Sequence, residues 1–150
     1  MKGAVVVTDG DGTLPVAATV RVLVVDDQAP FRMAARAVVR RLAGFEAVGE
    51  AATGEEAVDR AAELCPDLVL MDINMPGING IEATRRLLAA VPLAVVFLCS
   101  TYPLDDLPAD AAECGASAYL NKEELSADSL RRLWDGRAEP VTGLAVVRDD

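Results

Sequence analysis

The segment PDLVLMDINMPG, residues 66–77, joins a short apolar run to a single acidic residue at the end of that run. Leu68–Met71 is apolar throughout, which is typical of a strand that is covered on both faces. The prolines on either side of the run, together with Gly77, favour turns and keep the strand short. The segment therefore predicts a buried strand of a parallel sheet that ends at Asp72.

Similar apolar runs recur along the chain and alternate with amphipathic stretches. The five predicted strands are Val22–Val25, Ala47–Glu50, Leu68–Met71, Val95–Cys99 and Ala118–Leu120. Buried strands that alternate with helices predict an α/β fold, with a doubly wound, five-stranded parallel sheet and helices on both faces. In such a fold the functional crevice lies at the carboxyl ends of the strands.

The stretches between and after the strands predict five helices. They span residues 29–45, 53–66, 80–92, 104–116 and 126–136. Gly44 is expected to end the first helix, and Thr53 with Glu56 forms a capping box at the start of the second. Pro103 and Pro108 flank the start of the fourth segment, so the fourth helix is expected to be short or displaced.

The composition fits one soluble globular domain. The 150 residues are 52% apolar and 25% charged, and the alternating pattern covers residues 20–136. Residues 1–19 are expected to form a flexible N-terminal arm, and residues 137–150 a C-terminal tail. No apolar stretch approaches the roughly 20 residues of a membrane span, and Asp9 and Asp11 oppose a signal peptide, so a cytoplasmic protein is expected.

Charge and residue content exclude several functional classes. The net charge of −10 repels a phosphate backbone, so no direct binding of nucleic acid is expected. The chain contains no histidine, which removes every Ser/His and Cys/His nucleophile pair. Its three cysteines are an odd number without CxxC spacing, which argues against zinc sites and disulfide frameworks.

Polar side chains follow four of the predicted strands. In chain order they are Asp26, Asp27, Asp72, Ser100 and Lys122. Because the carboxyl ends of parallel strands meet at one edge, the three carboxylates repel one another unless a cation neutralises them. Mg²⁺ prefers carboxylate and water oxygens. With Lys122 as a second positive charge and the Ser100 hydroxyl as a donor, Asp72 is predicted to be a nucleophile toward a phosphoryl group.

With these residues in place, the sequence resembles the response-regulator receiver domain of two-component signalling, from about Val20 to Gly136. The matching motifs are LVVDDQ (residues 23–28), LVLMDINMPGINGIE (68–82), VVFLCSTY (95–102) and GASAYLNKE (115–123). The resemblance implies the flavodoxin-like receiver fold. It also implies phosphotransfer from a histidine kinase or a phosphotransfer protein in a two-component phosphorelay.

The resemblance assigns a role to each site residue. It makes Asp72 the phosphoacceptor, Asp27 a direct Mg²⁺ ligand and Asp26 an outer partner of the metal. The backbone carbonyl of Asn74 would complete the metal site. In the MPGING loop, Pro76, Gly77 and Gly80 are expected to shape the backbone.

Two further residues match the family positions that respond to phosphorylation. Of Cys99, Ser100 and Thr101, only Ser100 lies 28 residues after Asp72 and 22 before Lys122, which is similar to the family spacing. Tyr119 matches the aromatic residue that moves between outward and inward positions together with that serine or threonine.

The resemblance has departures and leaves the output partner open. Glu123 follows Lys122, where receiver domains commonly have a proline in a cis bond. The 14 residues after Gly136 are too few for a helix-turn-helix domain, so a stand-alone, single-domain type that signals through protein contacts is expected. Its partners would be an unidentified downstream protein or a second copy of the chain. Enzymatic activity is expected to be limited to slow self-dephosphorylation.

Two alternatives stay open from the sequence. One is a degenerate receiver that acts as an unphosphorylated docking module. The other starts from VVVTDGDGTL, residues 5–14, which resembles the first motif of the haloacid dehalogenase superfamily, with Asp9 as nucleophile and Asp11 as general acid. That phosphatase would need residues from strands that already match the receiver pattern, and Asp-Gly-Asp-Gly is also a turn sequence, so Asp72 is favoured.

Overall fold

The computed structural model of the chain describes residues 19–137 and the backbone of three two-residue strands outside that range. The strands are β1 (Ala4–Val5), β2 (Val16–Ala17), β3 (Val20–Val25), β4 (Phe45–Ala51), β5 (Leu68–Asp72), β6 (Val95–Ser100), β7 (Ala118–Asn121) and β8 (Ala145–Val146). The first two strands pair with each other in antiparallel fashion. Most of the predicted N-terminal arm and C-terminal tail lies outside the described residues.

The main sheet has the strand order β4-β3-β5-β6-β7-β8, and every neighbouring pair is parallel. Its first five members are the predicted strands, each extended by one to three residues, so the predicted doubly wound sheet is confirmed. The two residues of β8 pair with Ala118 and Tyr119 at the far edge. The sequence analysis did not predict this sixth strand, because it treated residues 137–150 as a tail.

Four α-helices connect or follow the strands. They are α1 (Ala29–Arg40), α2 (Gly54–Leu64), α3 (Gly80–Ala90) and α4 (Ala127–Asp135). The first helix ends at Arg40, earlier than predicted, and Gly44 lies in the turn that follows with a φ of +84°. Each of these helices is too short or too polar to cross a membrane, within the part of the chain that the structure describes.

Side-chain caps fix where three of these helices begin. The Thr53 hydroxyl accepts a hydrogen bond from the Glu56 amide at 3.0 Å, which is one half of the predicted capping box; the Glu56 carboxylate accepts from the Ala52 amide instead of the Thr53 amide. The Asn79 side chain caps α3 in the same way. Ser126 and Ser129 exchange two such hydrogen bonds at the start of α4. These caps satisfy amide groups that have no partner inside the helix.

The predicted fourth helix is wrong as an α-helix. The connection between β6 and β7 instead contains two short 3-10 helices, Leu104–Asp106 and Ala109–Glu113. Pro108 separates them, because its ring removes the amide that a continuous helix would need. Gly115, with a φ of +103°, then turns the chain into β7.

The sheet is covered on both faces by apolar side chains. Val22 and Val24 of β3 pack in the layer beneath α1 and α4, whereas Leu23 and Val25 pack beneath α2 and α3. The other central strands alternate in the same way. This two-sided burial explains why the strands are continuous apolar runs in the sequence.

Gly80 allows the start of α3 to lie directly against the end of β5. Its amide donates a 2.8 Å hydrogen bond to the Ile73 carbonyl. A Cβ atom at this position would lie 2.0 Å from the Asp72 carbonyl oxygen, which is far inside van der Waals contact. The absence of a side chain at Gly80 is therefore a packing requirement next to Asp72.

We predict that Gly80→Ala lowers the free energy of unfolding by about 2–4 kcal/mol, because strand β5 and helix α3 must separate to admit the methyl group. Urea denaturation followed by circular dichroism measures this change. Gly44→Ala is the matched control, because it has a positive φ but no atom within 4 Å of the added Cβ. It should cost about 1 kcal/mol. Equal losses in the two variants would contradict a steric role for Gly80.

Candidate functional site

The polar residues predicted at the strand ends meet at one edge of the sheet. Asp26 and Asp27 directly follow β3, Asp72 ends β5, Ser100 ends β6, and Lys122 directly follows β7. These four strands are neighbours in the sheet. Asp26, Asp72 and Ser100 are buried, with exposed fractions of 0%, 4% and 2%. The crevice at the carboxyl ends of the strands is therefore lined by polar groups that have little access to water.

Three carboxylates form the centre of the site. One oxygen of each of Asp26, Asp27 and Asp72 lies within 4.8 Å of the other two. Asp26 Oδ1 accepts a 2.8 Å hydrogen bond from the Gln28 amide. Burial, reinforced by the negative charge of Asp26, raises the pKa of Asp72 to about 6. The Asp72 carboxylate is thus ionised at neutral pH but is destabilised by its surroundings.

Lys122 provides a positive charge among these carboxylates. Its ammonium Nζ lies 2.5 Å from Asp26 Oδ2 and 3.1 Å from Asp72 Oδ1. Burial opposes the charge of Lys122, but the two carboxylates outweigh this effect and raise its pKa. Lys122 therefore stays protonated and bridges the ends of strands β3 and β5.

The site has an excess of negative charge that suits a divalent cation. Counted by formal charge, three aspartates and one lysine leave an excess of two negative charges in the crevice. Clustered carboxylate oxygens are the donors that Mg²⁺ prefers, and they bind it without the nitrogen or sulfur ligands that favour transition metals. Asp26, Asp27 and Asp72 fit Mg²⁺ both in charge and in donor chemistry.

Ser100 differs from both of its neighbours in the chain. Cys99 packs into the apolar layer beneath α1 and α4, and Thr101 is exposed beyond the strand end. The Ser100 hydroxyl oxygen is buried and accepts a 3.0 Å hydrogen bond from the Tyr102 amide. These surroundings agree with the choice of Ser100 over Cys99 and Thr101, and its phosphoryl contact stays a prediction.

Tyr119 is buried and anchored to the chain that leaves β6. Its hydroxyl donates to the Ser100 carbonyl at 3.0 Å and makes a short contact with the Tyr102 carbonyl. Burial raises the pKa of Tyr119, so the hydroxyl keeps its proton as a donor. The side chain occupies the inward position, where it connects β7 with the connection that follows Ser100.

Two predicted loop features have different outcomes. Asn74 is exposed two residues after Asp72, and the role of its carbonyl as a metal ligand stays a prediction. Lys122–Glu124 form a 3-10 turn, in which the Asn121 side chain accepts a 2.9 Å hydrogen bond from the Glu123 amide. A proline at position 123 could not donate this bond. Asp9 and Asp11, the residues of the phosphatase alternative, lie outside the described residues.

The sequence analysis missed two side chains of α1 that contact the site. The Phe31 ring lies beneath the Lys122 ammonium, with 4.6 Å between Nζ and the ring centre. Arg32 donates a 2.6 Å hydrogen bond to the Asp26 carbonyl and pairs with Glu50. The signal that could have identified them is the start of the predicted helix two residues after Asp27, which brings its first turn over the strand ends.

Comparisons with known proteins identify relatives of the chain. Residues 22–133 match the family profile of the response regulator receiver domain. The chain is 42% identical over 103 residues to response regulator GacA of Pseudomonas viridiflava, a match that covers 69% of this chain and 48% of GacA. It is 40% identical over 102 residues to chemotaxis protein CheY of Thermotoga maritima, covering 68% and 84% of the two chains.

A solved structure agrees with these sequence matches. A chain in the crystal structure of the CheX–CheY–BeF3–Mg²⁺ complex of Borrelia burgdorferi has a TM-score of 0.71 and 27% identity, with 79% of this chain and 90% of that chain covered. The chain spans about half the length of the GacA proteins it matches. The similarity to GacA therefore concerns one part of a longer protein.

We predict that Asp72→Asn stabilises the metal-free protein by about 1–3 kcal/mol at about pH 7.5, because it removes a buried negative charge. The folded-state pKa of Asp72 is raised from 3.8 to about 6, so wild-type stability falls as the pH rises through that window. The Asn variant lacks this fall. Urea denaturation in EDTA at several pH values measures both effects.

The exposed Asp59 of helix α2, outside the site, is the matched control for the same substitution. Asp59→Asn should keep the fall in stability that Asp72 causes. Added Mg²⁺ should narrow the gap between wild type and Asp72→Asn, because the cation neutralises the same charge. A difference in the free energy of unfolding between wild type and Asp72→Asn that is as large at about pH 4 as at about pH 7.5 would contradict this account.

Proposed function

The chain belongs to the response regulator receiver domain family and is a signalling domain, and we propose that it switches by accepting a phosphoryl group on Asp72. The observation that carries this proposal is the buried Asp72 carboxylate, with the Lys122 ammonium 3.1 Å away and two further aspartates beside it. We take residues 20–136 as the working unit, because Asp26, Asp27, Asp72, Ser100 and Lys122 all lie within it.

The proposed reaction is an in-line displacement at phosphorus. An Asp72 oxygen forms the new O–P bond while the N–P bond of a phosphohistidine breaks, and its electron pair returns to the imidazole nitrogen. Asp72 is ionised above its pKa of about 6, as a nucleophile must be. The Lys122 ammonium neutralises charge on the phosphoryl oxygens, and the Ser100 hydroxyl donates a hydrogen bond to one of them.

The metal site is proposed to hold Mg²⁺ through Asp27 and Asp72 directly, Asp26 at its outer side, and the Asn74 backbone carbonyl. When bound, the cation supplies positive charge to the phosphoryl oxygens. The excess of two negative charges in the site supports this assignment. The structural relative from Borrelia burgdorferi was solved with BeF3 and Mg²⁺, which is consistent with the same chemistry in this chain.

The partners follow from this chemistry. A histidine kinase or a phosphotransfer protein donates the phosphoryl group, and a downstream protein or a second copy of the chain reads the result. The net charge of −10 argues against direct contact with nucleic acid. We place the reaction in the cytoplasm and expect no enzymatic turnover beyond slow loss of the chain's own phosphoryl group.

The switch is proposed to run from Ser100 to Tyr119. If the Ser100 hydroxyl moves toward a phosphoryl oxygen, its hydrogen bond from the Tyr102 amide breaks and the connection after β6 shifts. The Tyr119 hydroxyl holds the carbonyls of both Ser100 and Tyr102, so this shift reaches β7. Phosphorylation changes the surface there only by the free energy with which it favours the shifted state.

We predict that acetyl phosphate with Mg²⁺ adds one phosphoryl group to the protein, and that Asp72→Asn lowers the phosphorylated fraction at least about a hundredfold, because an amide is not a nucleophile. Intact-mass spectrometry measures the added group. Asp59→Asn should behave as wild type. Persistent labelling of Asp72→Asn, or a label that maps to Asp9, would overturn the site assignment and favour the phosphatase alternative.

We also predict that Ser100→Ala and Tyr119→Phe still bind beryllofluoride, a phosphoryl mimic, but show less than about half of the wild-type change in residues 101–121. Each substitution removes one hydroxyl of the proposed route from Ser100 to Tyr119 and keeps the rest of the side chain. Amide hydrogen exchange with and without the mimic measures the change. Responses that match wild type in both variants would rule out this route.

A further inference from the structure

Phe31 lies at the phosphoacceptor site without belonging to any of the strand ends. It is in the first turn of α1, and its partly buried ring packs against the apolar layer beneath α1 and α4. The Lys122 ammonium lies 4.6 Å from the centre of the ring. The same ammonium contacts Asp26 and Asp72, so the aromatic ring and the two carboxylates surround one charge.

The contacts of Lys122 differ in how they respond to a phosphoryl group. The ion pairs of Lys122 with Asp26 and Asp72 hold only while the ammonium lies close to those oxygens. An incoming phosphoryl group competes with the two carboxylates for the ammonium. The attraction to an aromatic face depends only on the charge lying over the ring. The ammonium can therefore turn from a carboxylate toward a phosphoryl oxygen while it keeps its contact with Phe31.

A lysine side chain needs such a constraint. Its flexible four-carbon stem loses rotamer entropy when the ammonium is held in one position. Ion pairs alone would hold Lys122 only while both carboxylates stay free to bind it. A ring fixed by core packing lowers the number of positions that the ammonium can occupy, both without and with a phosphoryl group on Asp72.

We propose that Phe31 is a positioning residue that holds the Lys122 ammonium over the Asp72 carboxylate before and during phosphoryl transfer. This inference rests on the proposed function for its kinetic consequence, whereas the ring contact itself can be tested without any phosphodonor. The chemical requirement is an aromatic face, not merely an apolar side chain of similar size.

The chain contains a matched control for this requirement. Phe45 has the same kind of contact with Arg131, whose guanidinium carbon lies 5.1 Å from the ring centre. Phe45 begins β4, at the opposite end of the sheet from the site. Phe45→Leu therefore removes a cation–π contact and core packing without touching Lys122.

The first test measures the rate of phosphorylation by acetyl phosphate and Mg²⁺ in four full-length proteins: wild type, Phe31→Leu, Phe31→Tyr and Phe45→Leu. Phe31→Leu should be slower by about fivefold, which corresponds to about 1 kcal/mol. Phe31→Tyr keeps an aromatic face and should stay within about twofold of wild type, as should Phe45→Leu. A Leu variant at position 31 as fast as wild type, or Leu and Tyr variants that are equally slow, would overturn the proposal.

The second test uses nuclear magnetic resonance of the protein without Mg²⁺ or phosphodonor. The ring should shift the ε-methylene protons of Lys122 upfield in wild type and Phe31→Tyr. Phe31→Leu should abolish this shift, and Phe45→Leu should keep it. If wild type accepts no phosphoryl group but shows the shift, the proposed function fails and the ring contact stands. If wild type is phosphorylated without the shift, the positioning role fails.

Discussion

Uncompensated negative charge at the carboxyl end of the sheet is the constraint on which the site depends. Three carboxylates lie within 4.8 Å of one another, and Lys122 is the ammonium that contacts two of them. The surrounding fold buries Asp26 and Asp72, and this burial, together with the charge of Asp26, raises the pKa of Asp72. A ligand that brings positive charge should therefore stabilise the site.

The fold maintains this crowding through backbone geometry. The central strands β3 and β5 end side by side, and Gly80 lets α3 start against the Asp72 carbonyl. Helix α1 starts two residues after Asp27, so its first turn brings Phe31 and Arg32 over the strand ends. None of these elements can move apart without exposing apolar surface on one face of the sheet. Electrostatic strain in the site is thus balanced by burial elsewhere.

The sequence predicted the features that depend on local pattern. Strands covered on both faces appear as apolar runs, and the predicted cap residue Thr53 lies where α2 begins, so most of the fold and the charged site residues could be identified. The two-residue strand β8 has no periodicity to detect. The 3-10 connection could not be told from an α-helix in the sequence. Pro108 interrupts a helix but does not determine whether the flanking residues form α or 3-10 hydrogen bonds. The contact of Phe31 with Lys122 could not be predicted, because a cation–π contact across the sheet edge has no characteristic spacing in the sequence.

The connection between β6 and β7 bears on how far the proposed change at Ser100 could extend. Two 3-10 helices of three and five residues contain few internal hydrogen bonds, and their i to i+3 geometry is weaker than that of an α-helix. The Arg85–Asp110 ion pair that joins this connection to α3 is exposed and adds little stability. Tyr119, by contrast, is buried and binds two carbonyls at the start of the connection. If Ser100 moves as proposed, we expect the displacement to be concentrated in residues 101–115, because a weakly held connection rearranges at a lower cost in free energy than a paired strand.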